Sequence, residues 1–383
     1  MPATITAPPA QQQQDRTKKP TTIVPFVRAA REHLEPFVDE SRTLLTSSIQ
    51  MGPFDVAAYG FLRGIYLQLD ATGGSGGAAN VALKEDAPWS CIQEISLIDV
   101  NGAPVFGPVS GYDLYLANKY GGYAWSGDPK LSPAYSAPAT GAGASGNFRA
   151  MLRIPVELSG RDALGALPNQ NAASTYKLKI TLAAAADIYS VSPATTLPTI
   201  RVRAHLDAWS QPNAADLRGN TNSQVPPALG TTLFHSKTIH NLASGQQTVQ
   251  FKRVGNYIRS LILVNRDQAA GTRSAGATAF PDPFSLYWDT RPLYSQVPRD
   301  LWRHITQQRT GYTGAAESAG GPDNGVFVLD FMHDFDGKLG YEMRDGWLGT
   351  VQSTRLELQG VFGGASVLTA LTSDVSPAGE VFV

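Results

Sequence analysis

"QEISLIDVNGAPVFGPVSGYDLYLAN" occupies residues 93–118, and residues 284–305 read "FSLYWDTRPLYSQVPRDLWRHI". Both carry Ser-Leu, then an Asp, then a Pro-bearing turn. Both arrive at Asp-Leu followed by an aromatic residue, at Asp113-Leu114-Tyr115 and Asp300-Leu301-Trp302. Two further landmarks recur in the same order. "FLRGIYL" (residues 61–67) is answered by "YIRSLIL" (residues 257–263), with Arg63 opposite Arg259. "KLKI" (residues 177–180) is answered by "RLEL" (residues 355–358). The spacing shrinks from one pair to the next, so the first copy carries longer loops, among them "TGGSGG" and "SAPATGAGASGN". A period of about 190 residues is far too long for a solenoid or propeller blade, whose repeats run to tens of residues. It is the size of a whole β domain, and the chain says the same thing twice.

Between these landmarks the hydrophobic period is two. "GIYLQLD" sets Ile65, Leu67 and Leu69 on one face against Tyr66, Gln68 and Asp70. "NFRAMLRI", "TYKLKITL" and "TIRVRAHLDAW" alternate in the same way. Such segments are half-buried strands, with one face on a core and one face wet or shared with a partner. After "SQPNAADLRGNTNSQVPPALG" (residues 210–230) strands resume, among them "YIRSLILVN", "FSLYWD", "GVFVLDFM" and "TRLELQGVF". Each copy offers seven or eight such segments, which implies two sheets packed over a core. Both a jelly roll and an immunoglobulin-like sandwich fit that number. A helix signal inside each copy favours the jelly roll. Ser110-Gly-Tyr-Asp113 reads as a capping box before "LYLANK", and Pro298 suits the start of "RDLWRHI".

Ahead of the strands, residues 23–47 carry an apolar stripe at helical spacing: Phe26, Val27, Ala30, Leu34, Phe37 and Val38. The stripe predicts an amphipathic helix with a kink or restart at Pro36. Its polar side mixes Arg28, Glu32, Glu35 and Asp39, so it suits a protein surface as well as a lipid one. Residues 1–22 are rich in Pro, Gln and Thr and are expected to be a disordered tail. The expected organisation is therefore all-β. It comprises tail 1–22, helical segment 23–47, first jelly roll 48–210, linker 211–230, second jelly roll 231–375 and tail 376–383.

Composition narrows the function. Of 383 residues, 42% are hydrophobic and 16% charged, with Gly (37) and Pro (26) plentiful enough for many turns. A net charge of −1 argues against nucleic-acid binding through bulk charge, which needs a Lys/Arg surplus. The single cysteine, Cys91, permits neither an internal disulfide nor a Cys-based zinc site. No signal-peptide pattern opens the chain and no run is long enough to span a bilayer, so an intracellular origin is expected.

Motifs for chemistry are weak. His333, Asp334 and Asp336 in "HDFDG" are the candidate metal ligands, but the oxygens and the bidentate Glu of a calcium loop are missing, and a turn is the preferred reading. "GGSGG" lacks the Lys-Ser/Thr of a phosphate loop. His235 and His240 sit in or beside a strand pattern and are expected to face solvent. Asp282 and Asp289 flank a strand and are read as turn residues rather than a carboxylate pair. Trp288, Trp302 and Trp347 are assigned to core or interface packing ahead of a sugar site. No cofactor is expected, and no catalytic residue.

The order of elements then carries a resemblance. An N-terminal amphipathic segment precedes "GFLRGIYLQL", "ISLIDVNGAPVFGPVSGYDLYLANK" and "LRIPVELSGRDALGALPNQNAASTYKLKITL". A second copy follows, ending "GVFVLDFMHDFDGKLGYEMRDGWLGTVQSTRLELQG". This arrangement resembles the double jelly-roll major capsid proteins of tectivirus-like phages, the tailless icosahedral double-stranded DNA bacteriophages with an internal membrane. The resemblance runs from about residue 23 to about residue 362 and is strongest at "IPVELSGRDALGALPNQN", whose turn is one residue longer than the family's.

It implies a non-enzymatic structural protein: a homotrimer of six-fold-like outline, tiling a shell around a membrane and DNA. The implied partners are further copies of itself, penton and minor capsid or membrane proteins, and the internal lipid membrane, with no sequence-specific nucleic acid binding. The implied location is the virion, after synthesis in the host bacterial cytoplasm. The N-terminal helix would face the membrane or a neighbouring capsomer. A trimeric spike or receptor-binding protein, and a glycan-acting double jelly-roll enzyme or lectin, are the alternatives.

Overall fold

Strict alternation of apolar and polar residues forces each strand to choose a side, and the structure shows that choice. Ile65, Leu67 and Leu69, then Leu178, Ile180 and Leu182, then Ile200, Val202 and Leu206 are all fully buried. Their sequence neighbours Lys177, Lys179 and Arg201 point outward. The computed structural model describes residues 23–77, 80–121, 128–137, 141–160, 162–212, 223–225, 232–273, 280–310, 324–332 and 346–376. The candidate metal ligands His333, Asp334 and Asp336, both expected tails apart from Ser376, and most of the expected linker lie outside these residues.

Sixteen strands carry the architecture. The first eight are β1 (Glu32–Thr43), β2 (Ile49–Asp55), β3 (Phe61–Thr72), β4 (Ile92–Ile98), β5 (Pro104–Val109), β6 (Arg149–Pro155), β7 (Lys177–Leu182) and β8 (Thr199–Trp209). Helix α1 (Gly111–Tyr120) lies between β5 and β6. The second eight are β9 (Leu233–Leu242), β10 (Gly245–Gln250), β11 (Tyr257–Asp267), β12 (Phe284–Trp288), β13 (Arg291–Val297), β14 (Val326–Asp330), β15 (Leu356–Phe362) and β16 (Ser366–Val375). Helix α2 (Arg299–Thr310) lies between β13 and β14.

In the first half the sheets are ordered β6-β3-β8-β1 and β5-β4-β7-β2. In the second they are β14-β11-β16-β9 and β13-β12-β15-β10. Adding eight to every label turns the first pair of sheets into the second. Two four-stranded antiparallel sheets with that crossed order are a jelly roll, so the chain is a tandem double jelly roll. Every landmark of the sequence echo falls on a matched pair: β3 with β11, β4 with β12, β7 with β15, and α1 with α2.

The shared Arg has a structural meaning. Pairing of β3 with β8 skips Arg63, and pairing of β11 with β16 skips Arg259. A bulge leaves the extra residue out of the ladder and re-aims its side chain. Arg63 stacks 4.1 Å over Trp209, and Arg259 lies 5.8 Å from the Trp347 ring.

The expected helix over residues 23–47 does not form. Only Phe26–Ala29 makes a helical turn, and residues 32–43 are strand β1. β1 pairs with β8 along its whole length, from Glu32 opposite Trp209 to Thr43 opposite Thr199. That long-range ladder gives residues 32–43 a partner strand, and Pro36 would in any case break a helix there. Pro36 is tolerated because β1 is an edge strand, with a bulge between Pro36 and Val38. The apolar stripe is accordingly divided. Phe26 packs edge-on against Phe61 at 5.0 Å, with Val27 and Ala30 beside them. Val38 and Phe37 join the first core, and Leu34 is left 61% exposed.

Candidate assembly site

The two jelly rolls meet along a seam, and the opening motif lies in it. The Ser110 side chain accepts a hydrogen bond from the Asp113 amide at 3.2 Å, and the Asp113 carboxylate accepts from the Ser110 amide at 3.0 Å. This is the capping box read from the sequence. It fixes the first turn of α1. The same carboxylate oxygen, Oδ2, accepts from Lys237 Nζ of β9 at 2.6 Å. A helix cap in the first half thus anchors an edge strand of the second.

Around that tie, β5 and β9 touch as parallel neighbours, with Phe106 opposite His235 and their rings 5.2 Å apart. This single bridge joins the two halves into one nine-stranded sheet. Deeper in, Ile262, Val264, Val326, Val328 and Leu371 of the second half belong to the apolar cluster of the first. A cavity of about 20 Å³, room for one water, lies between Phe106, Asp113, His235 and Leu371.

At one end of the seam, Arg266 and Arg273 reach Asp86 at 2.6 and 2.8 Å. Both guanidinium groups also lie over the Tyr112 ring, at 5.7 and 5.1 Å. Arg273 is fully buried, and burial is opposed by Asp86 and Glu85, which hold its charge.

Two features of the seam escaped the sequence reading. His235, expected at the surface, is only 8% exposed; burial and the nearby Arg259 charge push its pKa down to about 3. A seam histidine surrounded by protein is disfavoured in its charged form. The second feature is that β11 and β14 are buried on both faces. The signal was present: "SLILV" and "VFVLD" are continuous apolar runs where "IYLQL" alternates, and a continuous run marks a strand covered on both sides.

The outer face of the first half's β6-β3-β8-β1 sheet is polar and organised by ion pairs. Asp70 accepts from Arg149 and Arg203 at 2.6 and 2.5 Å, and Asp39 from Arg201. Arg63 binds Glu157 at 2.8 Å and Asp207 at 3.3 Å, and Arg153 also holds Asp207. Burial pushes the Glu157 and Asp207 carboxyls upward, against the pull of these arginines. Such paired clusters perturb pKa values as catalytic sites do, but here every group is tied into a sheet surface.

The other candidate residues make local contacts. Asp289, at φ 53°, accepts from the Thr354 and Arg355 amides at 2.9 and 3.0 Å, and Asp282 accepts from the Arg299 amide. Trp302 and Trp347 are buried and Trp288 is half-buried. Among the described residues no group of three His, Cys, Asp or Glu is placed to hold a metal ion. No described helix is long and apolar enough to cross a membrane.

With this geometry in hand, comparison with known proteins gives one kind of match. No known protein-family model matches the chain, and no curated protein sequence does. Solved structures do. The major capsid protein of Sulfolobus Turreted Icosahedral Virus superposes with a TM-score of 0.60 at 14% identity, covering 91% of this chain and 98% of that one. The major capsid protein from Bacteriophage PM2 gives 0.53 at 10% identity, covering 91% and 99%. PBCV-1 VP54 gives 0.56 at 10%, covering 90% and 93%. These likenesses are of fold, and they extend over nearly the full length of both partners. The fold is the double jelly roll found in viral major capsid proteins.

Proposed function

We propose that this chain is a major capsid protein and not an enzyme. It forms homotrimers of six-fold-like outline that tile an icosahedral shell around an internal membrane and a double-stranded DNA genome. The observation that carries the reading is the strand-for-strand equivalence of two jelly rolls locked by one seam. Two similar blocks per chain let three chains present six similar sides. A plane of such units needs few kinds of contact, and a heterologous contact closes a ring when its rotation allows. The full-length likeness to solved capsid proteins supports the same role. In this reading the protein is made in the host bacterial cytoplasm and resides in the virion. There it contacts its own copies, penton proteins, and minor capsid or membrane proteins.

Light scattering of purified protein is the first test. A stable species of three times 40.9 kDa is expected. A monomer at every concentration refutes the shell reading and favours a glycan-acting enzyme or lectin. Electron microscopy of assembled particles then separates a shell from a spike.

A further inference from the structure

The seam inside the chain leaves its own counterpart unused. Each jelly roll has a β1-type edge and a β5-type edge. Within the chain, the β5 edge of the first half meets the β9 edge of the second. Of these two types, the edges left over are β1 and β13, and among the described residues neither pairs with anything beyond its own sheet. They are the repeat equivalents of the two edges that meet, one on each jelly roll.

Position by position the correspondence is close. Through the matched bulges at Arg63 and Arg259, Leu34 of β1 occupies the place of His235. Through the β4 and β12 pairings, Tyr294 of β13 occupies the place of Phe106, and Pro292 that of Pro104. Exposure differs in the telling direction. His235 is 8% exposed in the seam, whereas Leu34 is 61% exposed. All ten residues of α1 are buried, but in α2 Leu301, the repeat partner of the fully buried Leu114, is 49% exposed. An amphipathic helix whose twin is buried all round is missing its second cover.

We propose that the free β1 edge of one chain docks on the free β13–α2 edge of a second copy, repeating in trans the seam made in cis, with Leu34 seated beside Tyr294. This rests on the trimer reading and assigns its contact residues. Charge leans the same way: β1 carries Glu32, Glu35, Asp39 and Glu40 against one Arg, each acid at least partly exposed although also paired within its own chain, and the β13–α2 stretch carries four Arg, of which Arg299 is buried, against one Asp. The contact is also more polar than its twin. The five apolar positions that the second half buries in the seam correspond, on the first half, to Tyr66, Gln68, Met151, Arg153 and His205. A face that stays open to water until chains meet must be wettable, so polar groups stand where the joint within the chain has apolar ones.

The test is a disulfide across the contact in the full-length chain, with Leu34→Cys and Tyr294→Cys together. Parallel neighbours at this spacing lie within disulfide reach, and the one native cysteine, Cys91, is buried. Oxidised trimer should run as covalent dimers and trimers on non-reducing gels, while each single variant runs as monomer. Because Tyr294 packs on Trp302, a second pair of variants, Leu34→Glu and Leu301→Glu, changes only exposed positions; each should raise the trimer's dissociation midpoint roughly tenfold or more. A trimeric wild type whose double-Cys variant gives no cross-link and whose two Glu variants dissociate no more readily overturns the assignment while leaving the trimer standing. A wild-type chain that is always monomeric overturns both.

Discussion

Asp113→Ala removes two interactions that share one carboxylate, and their separate sizes follow from their surroundings. The capping half, the hydrogen bond to the Ser110 amide at 3.0 Å, contributes about 1 kcal/mol, the usual cost of losing an N-terminal cap. The seam half is a charge-assisted hydrogen bond from Lys237 at 2.6 Å. The carboxylate side chain is 5% exposed and the ammonium 25%. Hydrogen bonds to charged groups contribute about 1.5–3 kcal/mol, and partial exposure of the lysine places this one near the lower end. The substitution should therefore cost about 2.5–3 kcal/mol in all.

Ser110→Ala disturbs the cap alone and should cost about 1 kcal/mol. Denaturant unfolding of wild type, Asp113→Ala, Lys237→Met and the double variant completes a double-mutant cycle. The cycle isolates the tie between the halves, expected at about 1–2 kcal/mol. A coupling energy indistinguishable from zero would refute the claim that the cap holds the two jelly rolls together. A loss in Asp113→Ala no greater than that in Ser110→Ala would refute it as well.

Three further outcomes follow from buried groups and from β1. His235 has a folded pKa near 3 against an ordinary value of 6.5, so the unfolded chain takes up a proton first as pH falls. Its contribution is intact above about pH 6.5 and is lost progressively towards pH 3; His235→Gln should flatten the acid decline of unfolding midpoints over that window, and an unchanged slope would contradict the assignment. Burial pushes the Cys91 thiol up to about 12, so a thiol reagent at neutral pH should label it only on unfolding, and rapid labelling of native protein would be inconsistent with its buried place. Deleting residues 1–22 should leave the thermal midpoint unchanged. Deleting residues 1–47 strips β1 from β8 and uncovers Val38's place in the first core, so that chain should be insoluble; an equally stable product would show that β1 is dispensable.

Much of this architecture was legible in the chain itself. The period of two placed Ile65, Leu152, Ile180 and Val202 inside, because a strand offers only two sides and burial selects one. The echo of "SLIDVNGAP…SGYDL" in "SLYWDTRP…PRDL" announced the duplication, and the capping box was readable because it is made by residues three apart. What the local pattern misjudged were residues whose environment comes from far along the chain. Residues 32–43 have helical spacing, yet a partner strand more than 150 residues away supplies their hydrogen bonds, and a ladder of that length outweighs local propensity. His235 looked like an exposed strand residue until β5 and α1 of the other half covered it. Sequence by itself determined that there are two similar β domains, since strand alternation is local and the echo repeats it, whereas the crossed strand order that makes each a jelly roll depends on pairings far apart in the chain. Only the tertiary structure decided which edges meet and which remain free, because an edge is defined by the strand absent beside it, and no residue encodes that alone.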